Sequence, residues 1–202
     1  MALECKNLGF YYEKDKWIFR NINLSIERGE IFGILGYSGC GKTSLSLTLA
    51  DYVSPIEGSI HIDGKIHKKG SFKEVQLIYQ HPEKIMNPKW KMKEILCESY
   101  EPDENILEDF GIRKEWLDRY PIELSGGELQ RFSIVRSLNP KTKYIIADEI
   151  TTMLDGITQA IVWKKILKYV KNRQLGLIVI SHEKDIIEKL CSRCLNMETM
   201  TI

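Results

Sequence analysis

Short apolar runs recur along the chain and predict the buried strands of an α/β protein. From Tyr144 onward such runs alternate with helical segments, which predicts a parallel sheet joined by right-handed crossovers. Because ligands of such sheets bind beside the carboxyl ends of the strands, the residues that follow each run are candidates for function. The relevant runs cover Ile31 to Leu35, Val75 to Tyr79, Tyr144 to Ala147 and Leu177 to Ile180.

The N-terminal part of the chain has a different pattern, in which apolar and polar positions alternate. Strands are predicted over Leu3 to Leu8, Ile18 to Ile26 and Gly58 to Lys65, the last with a turn at Asp63-Gly64. A further early strand is predicted over Leu8 to Tyr12. The pattern predicts a mixed, partly antiparallel β layer beside the parallel core.

Apolar residues at helical spacing occupy two later segments. The first lies between Lys91 and Tyr120, and Pro102 and Gly111 interrupt it. The second is a helix predicted over Ile157 to Asn172, in which Trp163 is interpreted as a packing residue. The apolar positions of the first segment are Met92, Ile95, Leu96, Ile106, Leu107 and Phe110, and those predicted to face inward in the second are Ile161, Ile166, Leu167 and Val170.

The composition fits one globular domain with room for two lobes. The 202 residues include 29 basic and 28 acidic side chains, so the overall charge does not favour binding to nucleic acid or anionic lipid. No stretch approaches the ~20 apolar residues of a membrane span, and the first residues do not resemble a signal peptide. We therefore expect the chain to work in the cytosol and to reach a membrane only through a protein partner.

The five cysteines, an odd number, suit a reducing compartment better than a set of disulfides. Cys191 and Cys194 have C-x-x-C spacing, but no second pair or histidine cluster accompanies them. A helix end entering the last strand is therefore the stronger interpretation of this segment, and a metal or redox site the weaker one.

Residues 36–43 read GYSGCGKT, match the phosphate-binding pattern G-x-x-x-x-G-K-[ST], and follow the strand that ends at Leu35. Glycines let consecutive N–H groups point at an anion, and the next helix adds its positive N-terminal end. Lys42 would bring a charge to the outer phosphates, and Thr43 could offer its hydroxyl to Mg²⁺. The residues predicted to bind nucleotide here are Gly36, Ser38, Gly39, Cys40, Gly41, Lys42, Thr43 and Ser44. An ordinary Gly-rich turn is the alternative for this loop alone.

Two acidic residues, Asp148 and Glu149, end the apolar run that begins at Tyr144. A buried parallel strand would deliver both carboxylates to the ligand-binding edge of the sheet. In a nucleotide hydrolase, Asp148 would hold Mg²⁺ and Glu149 would orient and polarise the attacking water. Two solvated acids at a strand end are the alternative, which the phosphate loop makes the weaker one.

The segment from Leu124 to Arg131 reads LSGGELQR, and here the chain resembles the ATP-binding subunits of ABC transporters, whose signature motif reads LSGGQ. Ser125 is a good N-cap, and Gly126 and Gly127 leave N–H groups bare at a helix start, which predicts a second anion site. The resemblance implies that two subunits pair head to tail, with each ATP between one subunit's phosphate loop and the other's signature. A capped helix with a Gly-rich entry explains the serine but not the whole segment.

Other residues match elements of this family in the expected order. The resemblance assigns adenine stacking to Tyr12, with Tyr11 as the neighbouring candidate. Gln80 resembles the glutamine that senses both Mg²⁺ and the membrane subunit. Asp155, in the segment TTMLD, matches the loop that crosses the dimer interface, and His182 matches the switch histidine that contacts the γ-phosphate. Taken singly, Tyr12 and His182 are better explained by structural roles and Gln80 carries little information.

Two positions depart from the family pattern. Ile150 stands where proline commonly follows the catalytic glutamate, so the turn should be freer and its N–H should need a partner. Glu128 stands where the signature often has glutamine, and it keeps the hydrogen-bonding reach while adding charge. Neither change removes a catalytic group.

The resemblance spans essentially the whole chain, residues 1–202, as one ABC ATP-binding domain. It implies an α/β P-loop NTPase core with a mostly parallel sheet, an antiparallel β layer and a small helical subdomain. Residues 1–80 and 132–202 would form the ATP-binding lobe, and residues 81–131 the helical subdomain that ends in the signature.

The implied activity is ATP hydrolysis with Mg²⁺, coupled to transport at the cytoplasmic face of the cell membrane. The implied partners are two transmembrane permease subunits, a second ATP-binding subunit that is identical or different, and, indirectly, an external solute-binding protein. No nucleic acid partner is expected. Gln80 and the segment from Met86 to Met92 are predicted to contact the permease.

Several segments, including those around Pro82, Pro88 and Pro121 and residues 147–152, resemble the peptide and nickel branch of bacterial importers. The cargo implied is nickel or cobalt, a metal–chelator complex, or a di- or oligopeptide. The chain ends at Ile202 without the C-terminal extension that many peptide-transport ATPases carry, which favours a metal cargo slightly.

Two other classes share these motifs. ABC-type ATPases of translation usually carry two cassettes, and those of DNA repair carry a long coiled-coil insertion. Neither feature occurs in this chain. A regulatory cassette that binds ATP without hydrolysing it would be expected to lose Glu149 or His182, and both are present.

Overall fold

A computed structural model describes residues 1–66, 72–152 and 154–201 of the chain. Its strands are β1 (Ala2–Phe10), β2 (Phe19–Glu27), β3 (Ile31–Leu35), β4 (Glu57–Ile62), β5 (Lys65–Ile66), β6 (Val75–Ile78), β7 (Tyr144–Asp148), β8 (Gly176–Ser181) and β9 (Arg193–Asn196). Its α-helices are α1 (Lys42–Leu49), α2 (Met92–Cys97), α3 (Glu104–Asp109), α4 (Gly126–Ser137), α5 (Gly156–Arg173) and α6 (Lys184–Leu190), with 3-10 turns at Pro82–Lys84, Lys114–Trp116 and Pro121–Glu123. None of the helices in these ranges has the length and apolar character needed to cross a bilayer.

The apolar runs form a five-stranded sheet in the order β6-β7-β8-β3-β9. Strand β3 pairs in parallel with both β8 and β9, and β7 pairs in parallel with β8. The side chains of β7 and β8 are buried throughout, as their continuous apolar sequences predict for a sheet covered on both faces. In register, Leu35 lies opposite Ser181 and Asp148 opposite Ile180, so the strands end at one edge.

The alternating N-terminal segments form a second sheet, which is antiparallel and has the order β2-β1-β4-β5. The predicted antiparallel layer is therefore present. The strand predicted over Leu8 to Tyr12 is wrong at its end, because β1 stops at Phe10 and Tyr12 lies in the following loop. The chain turns there, with the Lys16 N–H donating to the Glu13 carbonyl oxygen at 3.0 Å, so the ladder cannot continue.

The chain divides into two compact units. The first consists of Met1–Leu77, Lys141–Asp148 and Arg173–Ile202, and it contains α1, α6 and both sheets except for Ile78 at the end of β6. The second consists of Ile78–Pro140 and Glu149–Asn172, and it contains α2, α3, α4 and nearly all of α5. The helical subdomain over residues 81–131 stays a prediction.

Helix α5 of the second unit has one buried stripe, which is formed by Val162, Ile166 and Val170 with Trp163 beside it. Trp163 is confirmed as a packing residue, since its side chain is buried and its indole N–H donates to the Thr151 hydroxyl at 3.3 Å. The prediction that Ile161 faces inward is wrong, because its side chain is 46% exposed. One residue along a helix turns the side chain by about 100°, which moves Ile161 off the stripe. Leu167 is only half-buried.

The first turn of α5 is capped by Asp155. Its carboxylate accepts the N–H groups of Ile157 at 3.1 Å and Thr158 at 3.0 Å, and the Thr158 hydroxyl at 2.6 Å. Hydrogen bonds from the Thr158 side chain, then from backbone N–H groups, lower the pKa of Asp155 below its ordinary value. The carboxylate therefore stabilises the helix start in its ionised form.

We predict that Asp155→Ala lowers the melting temperature at neutral pH, because the helix loses its cap. The pKa of Asp155 is lower in the folded than in the unfolded chain. Its contribution is thus fully present above the unfolded-state pKa of roughly 4 and is lost as the pH falls through the folded-state pKa. Thermal unfolding of wild type and variant from neutral to acidic pH should show a difference that shrinks in acid. Asp155→Asn, which keeps a cap oxygen but cannot titrate, should differ from wild type by less at neutral pH.

Candidate nucleotide site

The predicted phosphate loop joins the end of β3 to the start of α1. Gly39 and Gly41 have φ values of +87° and +100°, which side-chain-bearing residues rarely adopt. A Cβ at Gly41 would also lie 2.5 Å from the Ile18 Cγ2 atom. The loop therefore needs glycine at position 41 for both conformation and space.

Lys42 folds its side chain back into this loop. Its ammonium group donates to the carbonyl oxygens of Gly36 at 2.8 Å and Tyr37 at 3.0 Å, and the side chain is buried. A buried ammonium held on carbonyl oxygens inside a Gly-rich loop at a helix start suits the phosphates of a nucleotide. Ser38, Gly39 and Thr43 are exposed, and no atom lies within 4 Å of a Cβ built at Gly39, so the loop is open to a ligand.

Asp148 lies at the end of β7 beside α1, with its side chain buried. Its Oδ2 atom accepts a long hydrogen bond of 3.5 Å from the Ser46 hydroxyl, which also donates to the Thr43 carbonyl oxygen at 2.8 Å. No group of three or more His, Cys, Asp or Glu side chains that could hold a metal occurs among the described residues. Mg²⁺ fits this setting, because it uses few protein oxygens and completes its coordination with water and phosphate.

His182 and Tyr12 belong to the same unit as the phosphate loop. His182 follows β8 and is exposed, one residue beyond Ser181, which pairs with Leu35 at the start of the loop. Tyr12 is 64% exposed, meets Phe10 edge-on at 4.9 Å, and its hydroxyl is 3.4 Å from the Ser44 hydroxyl. An exposed ring beside the start of α1 is free to stack on a ligand.

Tyr11, the neighbouring candidate, points to a different partner. Its ring meets the Trp17 ring edge-on at 5.0 Å. The two tyrosines therefore have different surroundings.

The second unit contains Glu149 and Gln80. The Gln80 side-chain amide donates to the Glu149 carboxylate at 3.2 Å and, more weakly, to the Thr152 hydroxyl at 3.5 Å. Glu149 has φ +49°, an uncommon conformation for a non-glycine residue and one that recurs at functional sites. Two neighbours hold this turn, since Ile150 is buried and Thr152 donates both its hydroxyl and its N–H to the Glu149 carbonyl oxygen.

Sequence reasoning gave Thr152 no role. The signal that could have found it is a threonine three residues after a strand-end acid, where a hydroxyl commonly closes a turn. Ile150 compensates for the absent proline in a way that the sequence did not predict, because its apolar side chain anchors the turn by burial.

The signature segment starts α4. The Ser125 hydroxyl accepts the Glu128 N–H at 3.4 Å, and the Glu128 carboxylate accepts the Ser125 N–H at 2.8 Å, so the two residues form a capping box. The glutamate in place of glutamine thus has a structural role. Ser125 and Gly126 are exposed, and a Cβ at Gly127 would lie 3.1 Å from the Leu154 Cδ2 atom. The helix start is therefore open to an anion.

Asp155, the last residue of the segment TTMLD, caps α5 and is exposed. Met153 of the same segment lies outside the described residues. The predicted site residues thus form two sets. The phosphate loop, Asp148, His182 and Tyr12 lie in the first unit, and Gln80, Glu149, the signature and Asp155 lie in the second.

The C-x-x-C segment has the predicted structure, with Cys191 after α6 and Cys194 in β9. Burial, and secondarily the neighbouring Cys194, raises the pKa of the Cys191 thiol to about 12. Such a thiol is a poor nucleophile and a poor metal ligand at neutral pH.

Comparison with known proteins agrees with these motifs. The ABC transporter family model matches residues 19–152. The nickel import system ATP-binding protein NikE of Staphylococcus aureus is 33% identical over 204 aligned positions, covering 95% of this chain and 84% of NikE.

Solved structures give the same fold. An ATP-binding subunit of an ABC transporter superposes with a TM-score of 0.84 at 20% identity, covering 97% of this chain and 85% of that one. A putative ABC transporter ATP-binding protein from Pyrococcus furiosus gives 0.81 at 23% identity, with full coverage of both chains. A dimeric ATP-binding cassette in a post-hydrolysis state with ADP and phosphate gives 0.81 at 22%, covering 96% and 93%.

The family match covers most of the chain, and the curated relative is similar along nearly all of it. The α/β fold and the order of motifs agree with both. The chain therefore belongs to the ABC transporter family, as an ATP-binding and ATP-hydrolysing subunit with the fold of ABC ATPases.

Proposed function

We propose that this subunit powers the import of a small solute through a membrane transporter, and that the solute is nickel. The observation that carries the cargo is the 33% identity to the nickel import protein NikE along 95% of the chain. Cobalt, a metal–chelator complex or a di- or oligopeptide are the alternatives within the same branch. The subunit would act at the cytoplasmic face of the membrane, held there by its permease partners.

The phosphate loop would bind ATP with its N–H groups and the N-terminal end of α1. Lys42 would exchange its two carbonyl contacts for the outer phosphate oxygens, a change that needs only a rotation of its flexible side chain. Tyr12 would stack on the adenine, and His182 would donate to the γ-phosphate. Cys40 lies within the loop, so a bulky thiol reagent there should obstruct the nucleotide.

The oxygen atoms of Thr43, Asp148 and Gln80 would hold Mg²⁺. The ion, when bound, would neutralise charge on the phosphate oxygens during hydrolysis. Asp148 suits this role because its side chain is buried and its strand packs beside α1, whose first two residues are Lys42 and Thr43.

Glu149 would orient the attacking water and accept its proton. The Gln80 amide supports this role, since its hydrogen bond fixes the direction of the carboxylate. Glu149 has φ +49° in a turn that Ile150 and Thr152 stabilise, and this turn would keep the carboxylate in one position.

Two subunits, identical or different, would complete each site by placing the signature of one against the ATP of the other. The start of α4 is exposed at Ser125 and Gly126, so it suits an anion supplied by a partner. Asp155 would lie at the dimer interface. Gln80 and the segment from Met86 to Met92 would contact the two permeases, so that closure of the dimer reaches the membrane.

We predict that Gly41→Ala weakens ATP binding at least about tenfold, because backbone strain of roughly 1–3 kcal/mol adds to the contact with Ile18. Titration with a fluorescent ATP analogue measures the effect. Gly64→Ala is the matched control, since Gly64 also has positive φ, +75°, but no atom within 4 Å of its Cβ position. The control should bind ATP normally. Normal binding by a folded Gly41→Ala protein would contradict the assigned loop.

We predict that Glu149→Gln slows ATP hydrolysis at least about a hundredfold while ATP binding persists, because the amide cannot accept the proton. Phosphate release and nucleotide titration separate the two effects, and size-exclusion chromatography with ATP should show an accumulating dimer. Glu188 is an exposed residue of α6, so Glu188→Gln is the control, and this variant should hydrolyse ATP at the normal rate. A monomeric and fully active Glu149→Gln protein would refute the assignment.

We predict that native cells carrying Glu149→Gln lose uptake of radioactive nickel but keep uptake of a labelled dipeptide. Loss of only dipeptide uptake would replace nickel by peptide as the cargo.

Affinity purification of the tagged protein from native membranes tests the transporter itself, and two polytopic permeases should co-purify. Recovery of ribosomes or nucleic acid without membrane proteins would favour an ABC-type ATPase of translation or repair.

A further inference from the structure

Helix α5 has an unusual charge for this protein. Its sequence GITQAIVWKKILKYVKNR contains five basic residues and no acidic one, whereas the whole chain has a net charge of +1. The nucleotide chemistry described above uses none of these basic residues. A helix with this concentration of charge attracts anionic groups.

One face of α5 points away from the buried stripe. The residues at Ile157, Ile161, Lys164 and Lys168 follow spacings of three and four, which places them on one side of the helix. Ile157 and Ile161 are 77% and 46% exposed, and Lys164 and Lys168 are exposed. This face therefore combines apolar and cationic side chains.

Ile161, Lys164 and Lys168 of this face form one wall of a cleft of about 380 Å³ within the second unit. Residues of α3 and its C-terminal end form the other wall, with Ile106 half-buried and Phe110 buried. We call this the α3–α5 cleft. Its lining residues are Ile106, Asp109, Phe110, Ile161, Lys164, Lys165, Lys168, Tyr169 and Asn172.

Positive charge predominates in the α3–α5 cleft. Within the described ranges, no ion pair involves Lys164, Lys165 or Lys168. Arg131 adds a further cation nearby, with its guanidinium donating to the Phe110 carbonyl oxygen at 3.0 Å. Burial, then the Arg131 charge, lowers the pKa of Lys165, and Asp109 opposes them as the one carboxylate in the lining.

We propose that the α3–α5 cleft docks an acidic segment of a protein partner. A large apolar side chain of that segment would contact Ile106, Phe110 and Ile161, and its carboxylates would pair with Lys164 and Lys168. These lysines are one helical turn apart, so carboxylates at a similar spacing match them. Asp109 would accept an N–H group of the bound segment.

The shape of the cleft favours a peptide over a membrane surface. A bilayer presents a broad, nearly flat face, whereas the apolar contacts lie in a concave cleft that a protruding side chain can enter. An acidic peptide with an apolar anchor satisfies both the charge and the concavity.

The test is selection from a displayed library of random peptides on the full-length protein. Wild type should enrich peptides with a large apolar residue flanked by Asp or Glu, and the charge-reversed protein Lys164→Glu/Lys168→Glu should not. An enriched peptide, synthesised with a fluorophore, should bind at least tenfold more weakly to this variant and to Ile161→Asp in an anisotropy titration. Lys6→Glu/Lys189→Glu, which reverses two exposed lysines of the first unit, is the matched control and should bind as wild type.

Thermal unfolding and ATP titration establish that each variant is folded, since none of the substituted residues belongs to the assigned nucleotide site. Absence of acidic enrichment, or equal binding to the charge-reversed variant, would overturn the proposal. Vesicles of phosphatidylcholine and phosphatidylserine provide the second arm. Sedimentation that depends on Lys164 and Lys168, together with failure of peptide binding, would identify the cleft as a membrane contact instead.

Discussion

The parallel register of β3, β7 and β8 is the constraint on which the nucleotide site depends. Because Leu35 pairs with Ser181 and Asp148 with Ile180, the strands end together, and the residues after each end emerge at one sheet edge. A shift of one residue would send every side chain of a strand to the opposite face. The buried apolar side chains of β7 and β8 make such a shift costly, so core packing fixes the position of the site residues.

The turn at Glu149 shows how local strain and burial combine. Glu149 has positive φ, and the hydroxyl and N–H of Thr152 satisfy its carbonyl oxygen. Ile150 is buried, so the packing of its side chain anchors this turn. The Gln80 amide then holds the side chain. The result is a carboxylate whose position depends on residues far apart in sequence.

Strand positions and motif residues were largely predictable from sequence. The run from Ile31 to Leu35 is a strand with those bounds, and the capping geometry at Ser125 follows from its residue type. The failures are Tyr12, which lies beyond its predicted strand, and Ile161, which is exposed on α5. The alternating pattern did not show the turn that follows Phe10, and the choice of buried stripe on α5 depends on the elements packed against that helix.

The sequence by itself determined the chemistry, because a phosphate loop, an acidic strand end and a signature segment are defined by residue type and short spacing. Only the tertiary structure decided which side chains meet. The Gln80–Glu149 hydrogen bond spans 69 positions and the Ser46–Asp148 contact spans 102. The cationic face of α5 forms a cleft only together with residues of α3 and its C-terminal end. Such contacts follow from packing, which minimises exposed apolar surface over the whole unit and leaves no short-range signal in the sequence.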